Sequence, residues 1–315
     1  MGESMANCIQ NNKLTLKENF KKHFHDILFC FVILIYPTVQ FIIFYLGVNV
    51  NTILLSFKFF DYDGGYTFAG FENFRLAFFN LFNDKALGVA VGNSVLYQLV
   101  AIAIGTSLSL MFSYYIYLKR TFSGFFKSIL FLPTIVSSLV FTMIFRKVAA
   151  ELYIDVVEKL TGEIVPGLLS NENTRKFTVF TYNVLFSFGT SVLLYSGAMS
   201  GTNESIMEYA DIDGTTYWQK FIYILFPMIF PTFITFMVMH ISDTFMNQMN
   251  LLGFWADTAP PRLKTIGYYL YTGTLKASLA EYPLLATYGL IFTLVTMPVV
   301  FFVKWLLEKF GPNAY

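Results

Sequence analysis

Residues 208–227 read Glu208-Tyr-Ala-Asp-Ile-Asp-Gly-Thr-Thr-Tyr-Trp-Gln-Lys-Phe-Ile-Tyr-Ile-Leu-Phe-Pro227, an acidic segment that runs directly into an apolar one. Glu204, Glu208, Asp211 and Asp213 crowd its first half. Asp213-Gly214 is a turn signal, because glycine accepts the positive φ that such turns often need. Glu208 to Ala210 fits one short helix before that turn. Trp218, Phe221 and Ile224 recur every three residues, so they share one face of a second helix. Pro227 sits where this helix enters the apolar run. The expected shape is helix, turn, helix, lying along a membrane surface by an apolar stripe and leading into a span.

The composition places most of the chain in lipid. Of 315 residues, 56% are hydrophobic and 13% charged, with a mean hydropathy of +0.57. A soluble domain carries about 25% charged residues. The net charge of +1 gives no concentrated basic face, so nucleic acid is excluded as a partner. Cys8 and Cys30 form no Cys-x-x-Cys pattern, and His23 and His25 diverge on a helix, so no metal site is expected.

A bilayer core of about 30 Å takes about 20 apolar residues of helix. Six segments qualify, near Ile27–Leu46, Leu87–Tyr114, Phe125–Phe145, Val179–Met199, Phe221–Ser242 and Leu284–Leu306. The runs are continuous rather than alternating, which favours helices over a β-barrel. The fold class is an all-α integral membrane protein with six transmembrane helices. Its domains are an N-terminal segment 1–26, a membrane domain 27–307 and a tail 308–315. A 26-residue charged leader before the first run argues for an uncleaved span rather than a signal peptide. Loops are expected at 49–85, at 246–281 and, with one short helix and a turn, at 146–177. Lysines and arginines divide almost evenly between the two sides, so charge alone leaves the orientation open.

The 208–227 stretch resembles the EAA loop of ABC-importer permeases. That pattern is Glu-Ala-Ala, three residues, Gly, nine residues, Ile-x-Leu-Pro. Here it falls on Glu208, Ala210, Gly214, Ile224 and Pro227, with Asp213, Trp218, Gln219 and Phe221 matching the maltose/oligosaccharide version. Tyr209 and Phe226 depart from it, as does Thr202-Asn203, where the family has Ile-Pro. Weaker likenesses occur at Phe68–Phe74, Asn93-Ser94, Phe131-Leu132-Pro133 and Lys304–Pro312. Together they span residues 25–312.

The resemblance implies a permease subunit of a carbohydrate importer in the bacterial inner membrane, with both termini cytoplasmic. The 200–227 loop, between the fourth and fifth spans, would couple it to the ATPase. It implies a second homologous permease, two ATP-binding subunits and an extracellular or periplasmic solute-binding protein. The chain has no Gly-x-x-x-x-Gly-Lys-Ser/Thr loop, so no cofactor is expected in it; ATP and Mg belong to the partner ATPase.

Sugars are held by hydrogen bonds and aromatic faces. Asn183, Tyr195 and Asn247 are candidate path contacts, or helix–helix hydrogen bonders. His240 and Asp243 lie three apart and fit either a proton relay or a structural pair. An ion-driven carrier, a membrane-embedded transferase, and an importer of a non-sugar solute such as glycerophosphate are the alternatives. No catalytic residue is expected.

Overall fold

A computed structural model of the chain describes Phe24 and residues 28–312. Apart from Phe24, the segment 1–26 lies outside the described residues, with Cys8, His23 and His25; so do the last three residues of the tail. In chain order, α1 (Leu28–Ser56) leads to a hairpin of β1 (Lys58–Asp61) and β2 (Gly65–Phe68). Then come α2 (Glu72–Asn83), α3 (Lys85–Tyr117), α4 (Ser123–Ile135) and α5 (Ser138–Thr161). The second half holds α6 (Glu172–Ser200), α7 (Glu204–Ile212), α8 (Tyr217–Ser242), α9 (Leu251–Trp255), α10 (Ile266–Lys276) and α11 (Tyr282–Phe310).

Among the described residues, α1, α3, α6, α8 and α11 are long and apolar enough to cross a bilayer. The shortest of them, α8, has 26 residues, about 39 Å at 1.5 Å per residue. The sixth expected span is not a straight helix. α4 and α5 meet at a 102° bend, and they make one crossing only when counted together. The cause is local. Pro133 lacks the backbone donor that would continue the ladder, and Val136 and Ser137 are extended, with ψ of 141° and 125°. At 13 residues, α4 is about 20 Å long, so the chain turns before it could cross the hydrocarbon core.

The connections hold more structure than the turn signals suggest. Residues 49–56 continue α1 rather than starting a loop, and the hairpin pairs Lys58 with Phe68 and Asp61 with Gly65. Buried Asn73 of α2 donates to the carbonyls of Ser56 and Lys58, at 2.9 and 2.7 Å, fastening the hairpin to the end of α1. The 246–281 segment carries α9 and α10. Between 146 and 161 the chain is helical, as the rest of α5.

Three apolar clusters join the helices. At the α7 end, Tyr114, Tyr195, Met199, Leu225, Ile229 and Phe236 bind α3, α6 and α8. At the opposite end, one cluster centres on Tyr182, Met249, Phe254 and Tyr268, and another on Leu87, Ile266, Tyr288 and Phe292. Every residue of α1 from Leu28 to Leu54 is exposed. That apolar face is suited to lipid or to another membrane subunit rather than to water.

Candidate functional site

The loop between α6 and α8 is ordered by its own side chains. Asn203 caps α7, its side chain accepting from the Ser205 amide at 3.1 Å. The residue that departs from the Ile-Pro pattern therefore supplies the helix start. Gly214 takes φ 72°, a conformation L side chains resist. Thr215 donates from its amide and its hydroxyl to the Ala210 carbonyl, at 3.1 and 2.6 Å, closing the turn. Thr216 and Gln219 form a reciprocal capping box that starts α8.

The second helix is not a separate surface helix: Tyr217 to Lys220 is the first turn of α8 itself, which runs on to Ser242. A wider π-turn at Phe221–Leu225 precedes Pro227, a common accommodation where proline withholds its donor. The expected shared face is uneven. Phe221 and Ile224 are half-buried, Phe221 packing 5.0 Å from the Tyr114 ring, whereas Trp218 is 61% exposed.

α7 buries Ala210 and presents Glu204, Glu208, Tyr209 and Ile212 outward, with Asp213 and Gly214 exposed just beyond; Ile212 is 80% exposed. An apolar knob ringed by carboxylates fits a groove with an apolar floor and a basic rim. One feature was missed by sequence reasoning. Lys220 is buried, and its ammonium meets the Asp211 carboxylate across the turn. Exposed pairs are worth about 0–1 kcal/mol, and losing one partner of a buried pair costs about 3–5. This pair, with one end buried and the other open, falls between.

Four of the five candidate path residues divide between two cavities. Asn183, 2% exposed, donates to the carbonyls of Val179 and Met249, both at 2.9 Å, and accepts from Asn250 at 2.8 Å. Asn250 in turn accepts from Ser138, immediately after the α4–α5 bend. This relay lines a cavity of about 310 Å³ with Thr134, Tyr182 and Thr190. The Asn183 amide oxygen has a second acceptor lone pair beyond the one that Asn250 occupies. Asn250 and Ser138 were not singled out from the sequence. The run Asn247-Gln-Met-Asn250 carries the only hint of the former, two amides three residues apart.

His240, Asp243 and Asn247 line a second cavity, about 210 Å³, with Tyr97, Gln98, Ser109 and Ser191. His240 and Asp243 share it without forming an ion pair within 4.0 Å. The Gln98 amide nitrogen is buried there with no hydrogen-bond partner among the described residues. Tyr195 lines neither cavity. It is 1% exposed, packed on Phe236 at 4.8 Å within the α3–α6–α8 cluster. At the far end from α7, Glu172, Arg175, Lys176 and Arg262 line a broader cavity of about 610 Å³.

A family model described as the binding-protein-dependent transport system inner membrane component matches residues 100–313. The chain belongs to that family. Among its relatives, this inner membrane component is 24% identical over 238 residues to the arabinooligosaccharides transport system permease protein AraP of Bacillus subtilis (strain 168), covering 74% of each chain. It is 28% identical over 190 residues to the osmoprotective compounds uptake permease protein GgtC of Synechocystis sp. (strain ATCC 27184 / PCC 6803 / Kazusa), covering 58% of this chain and 65% of that one. It shares its fold with a chain of a bacterial alginate ABC transporter solved in complex with an alginate pentasaccharide-bound periplasmic protein. There the TM-score is 0.73 at 17% identity, covering 91% of this chain and 96% of that one.

Proposed function

We propose that this chain is one permease subunit of an ABC importer for a sugar or oligosaccharide. It forms half of the pore and hydrolyses nothing itself. A second homologous permease supplies the other half, two ATP-binding subunits dock below, and a solute-binding protein delivers the sugar from outside. The membrane domain is 27–307, with both termini, the 308–315 tail and the 200–227 loop in the cytoplasm. The relatives' transport of oligosaccharides supports the solute class.

The observation that carries the coupling role is the outward face of α7. Glu208, Tyr209 and Ile212 are exposed on a capped helix that a short turn joins to the start of α8. An ATPase that moves α7 would tilt the spans that line both cavities. The paths through Asn183 and through His240, Asp243 and Asn247 would then open alternately to each side. A non-sugar solute is the second reading, favoured by the likeness to an osmoprotective-compound permease.

The test is a pull-down of the tagged chain from mild detergent, with subunits identified by mass spectrometry. Recovery of a second permease and a Walker-type ATPase, with the ATPase lost in Glu208→Lys, supports the reading. Recovery of the chain alone, with uptake that follows an ion gradient, overturns it in favour of a carrier.

A further inference from the structure

The short segment Tyr217–Lys220 is held from two sides. On one side Lys220, whose side chain is 4% exposed, pairs with Asp211 of α7, whose side chain is 70% exposed. On the other, the Tyr114 hydroxyl of α3 donates to the Tyr217 carbonyl at 2.7 Å, and the Arg120 guanidinium stacks 4.5 Å from the centre of the Tyr217 ring. Phe221 adds its ring against Tyr114 at 5.0 Å. The first turn of α8 is therefore attached to α7 and to α3 at once.

The backbone alone would not transmit force through this point. Between the helical residues Ile212 and Tyr217 there are four linker residues, and one of them is Gly214 at φ 72°. Glycine leaves such a turn free to hinge. The Thr215 bonds to Ala210 fix the turn's start, but Thr215 belongs to the linker and not to α8. Among the described residues, Asp211–Lys220 is the ion pair that runs from α7 directly to α8. Its location is unusual for a salt bridge made for stability. The ammonium lies inside, under the start of the span, and the carboxylate reaches in from the face of an exposed helix.

We propose that the Asp211–Lys220 pair is a latch that turns the 204–220 loop into a rigid lever, so that movement of α7 displaces α8 and, through Tyr217 and Tyr114, α3. Without the latch, the same movement is absorbed at Gly214. This rests on α7 being the element an ATPase moves. Asp211 and Lys220 are positioning residues in this scheme; neither lines a cavity along the path. The two spans the lever moves are those that contribute Gln98, Ser109 and His240 to the second cavity. One latch therefore acts on two walls of one chamber.

The test measures rigidity directly and needs no solute. Cys8 and Cys30 are replaced by serine, and spin labels are placed at exposed Ser205 of α7 and Met239 of α8 in the complex purified with its ATPase subunits. With the native pair, the distance distribution is narrow and the same with and without trapped ATP. The informative variant is the double change Asp211→Asn with Lys220→Met, which removes both charges and so leaves no unpaired buried ammonium. In it the distribution at least doubles in width and shifts with ATP, while the ATPase subunits stay bound. A double variant as narrow as the native pair in both states overturns the latch. So does a native complex whose distribution already shifts with ATP. If no ATPase subunit accompanies the unlabelled native chain, the coupling reading fails, and the lever with it, whatever the widths show.

Discussion

At the α7 end, beside the Tyr114 bond to Tyr217, the loop is held by bonds between near neighbours: Asn203 to Ser205, Thr215 to Ala210, Thr216 to Gln219, Lys220 to Asp211. At the opposite end the partners are far apart in sequence. Tyr66 donates to the Leu279 carbonyl, Asn93 to the carbonyls of Arg262 and Lys264, the Ile266 amide to Ser94, and Asn183 to Met249. A locally bonded loop keeps its shape while its surroundings move. An end built from long-range bonds keeps its shape only while the spans keep their arrangement. That is the division of labour expected of a handle and a gate.

The largest effect should come from breaking the handle. Gly214→Pro forces φ to about −65° where the turn needs a positive value. Uptake should fall about 100-fold, as expected when a strained turn misplaces the coupling helix, with the amount of membrane-inserted protein unchanged on a blot. Normal uptake in this variant would sink the coupling role of the loop. Next comes the relay at the other end. Asn183→Leu frees the Met249 carbonyl and the Asn250 amide inside the fold. The expected loss is about 1–3 kcal/mol per stranded group, seen as a lower melting temperature in detergent together with reduced uptake. A loss of uptake with an unchanged melting temperature would assign Asn183 to the solute instead.

Gly267→Ala probes the same end by packing, because an added Cβ would strike the Met246 carbonyl oxygen. Overpacking of this kind costs about 1–3 kcal/mol. The loss should appear in stability and should leave ATPase co-purification intact. Asn203→Ala removes only the α7 cap, about 1 kcal/mol, and should lower uptake by no more than a few-fold. The smallest effect concerns pH. The Lys276 side chain, bonded to Asp257, holds that exposed carboxyl below its usual range. A depressed carboxylate contributes above its unfolded value and is lost as pH falls through its lower folded one. Protease sensitivity of 256–281 should therefore stay flat from pH 8 to pH 5; a change within that window would show that another group controls this loop.

The same contrast explains what could be read from the sequence. The spans were legible because apolar runs are contiguous, and the loop because its turn and capping signals sit within twenty residues. The 102° bend was not, although Pro133 was visible. A proline inside an apolar run is compatible with a straight span, and the Ser138–Asn250 bond that flanks the break joins residues 112 apart. The pairing of His240 with Asp243 followed from helical spacing, but their joining with Asn247, Gln98 and Ser109 depended on how α3 and α8 both pack against α6. Tyr195 stands apart from that cavity. An aromatic hydroxyl in a span reads as a sugar contact, and the fold buries it among Phe236 and its neighbours.

The central claim is that the α7 end faces the ATPase and the opposite end faces the incoming solute. Cross-linking tests it most directly. With Cys8 and Cys30 replaced, a single cysteine is placed at Ile212, or at Leu279 in the other half of the comparison; both positions are exposed. Cells expressing the whole transporter are then treated with a short thiol-to-amine cross-linker. The account predicts that the cysteine at 212 captures the Walker-type ATPase and is shielded from a membrane-impermeant thiol reagent added outside, while the one at 279 is labelled by that reagent and never captures the ATPase. Labelling of 212 from outside, or capture of the ATPase from 279, would contradict it.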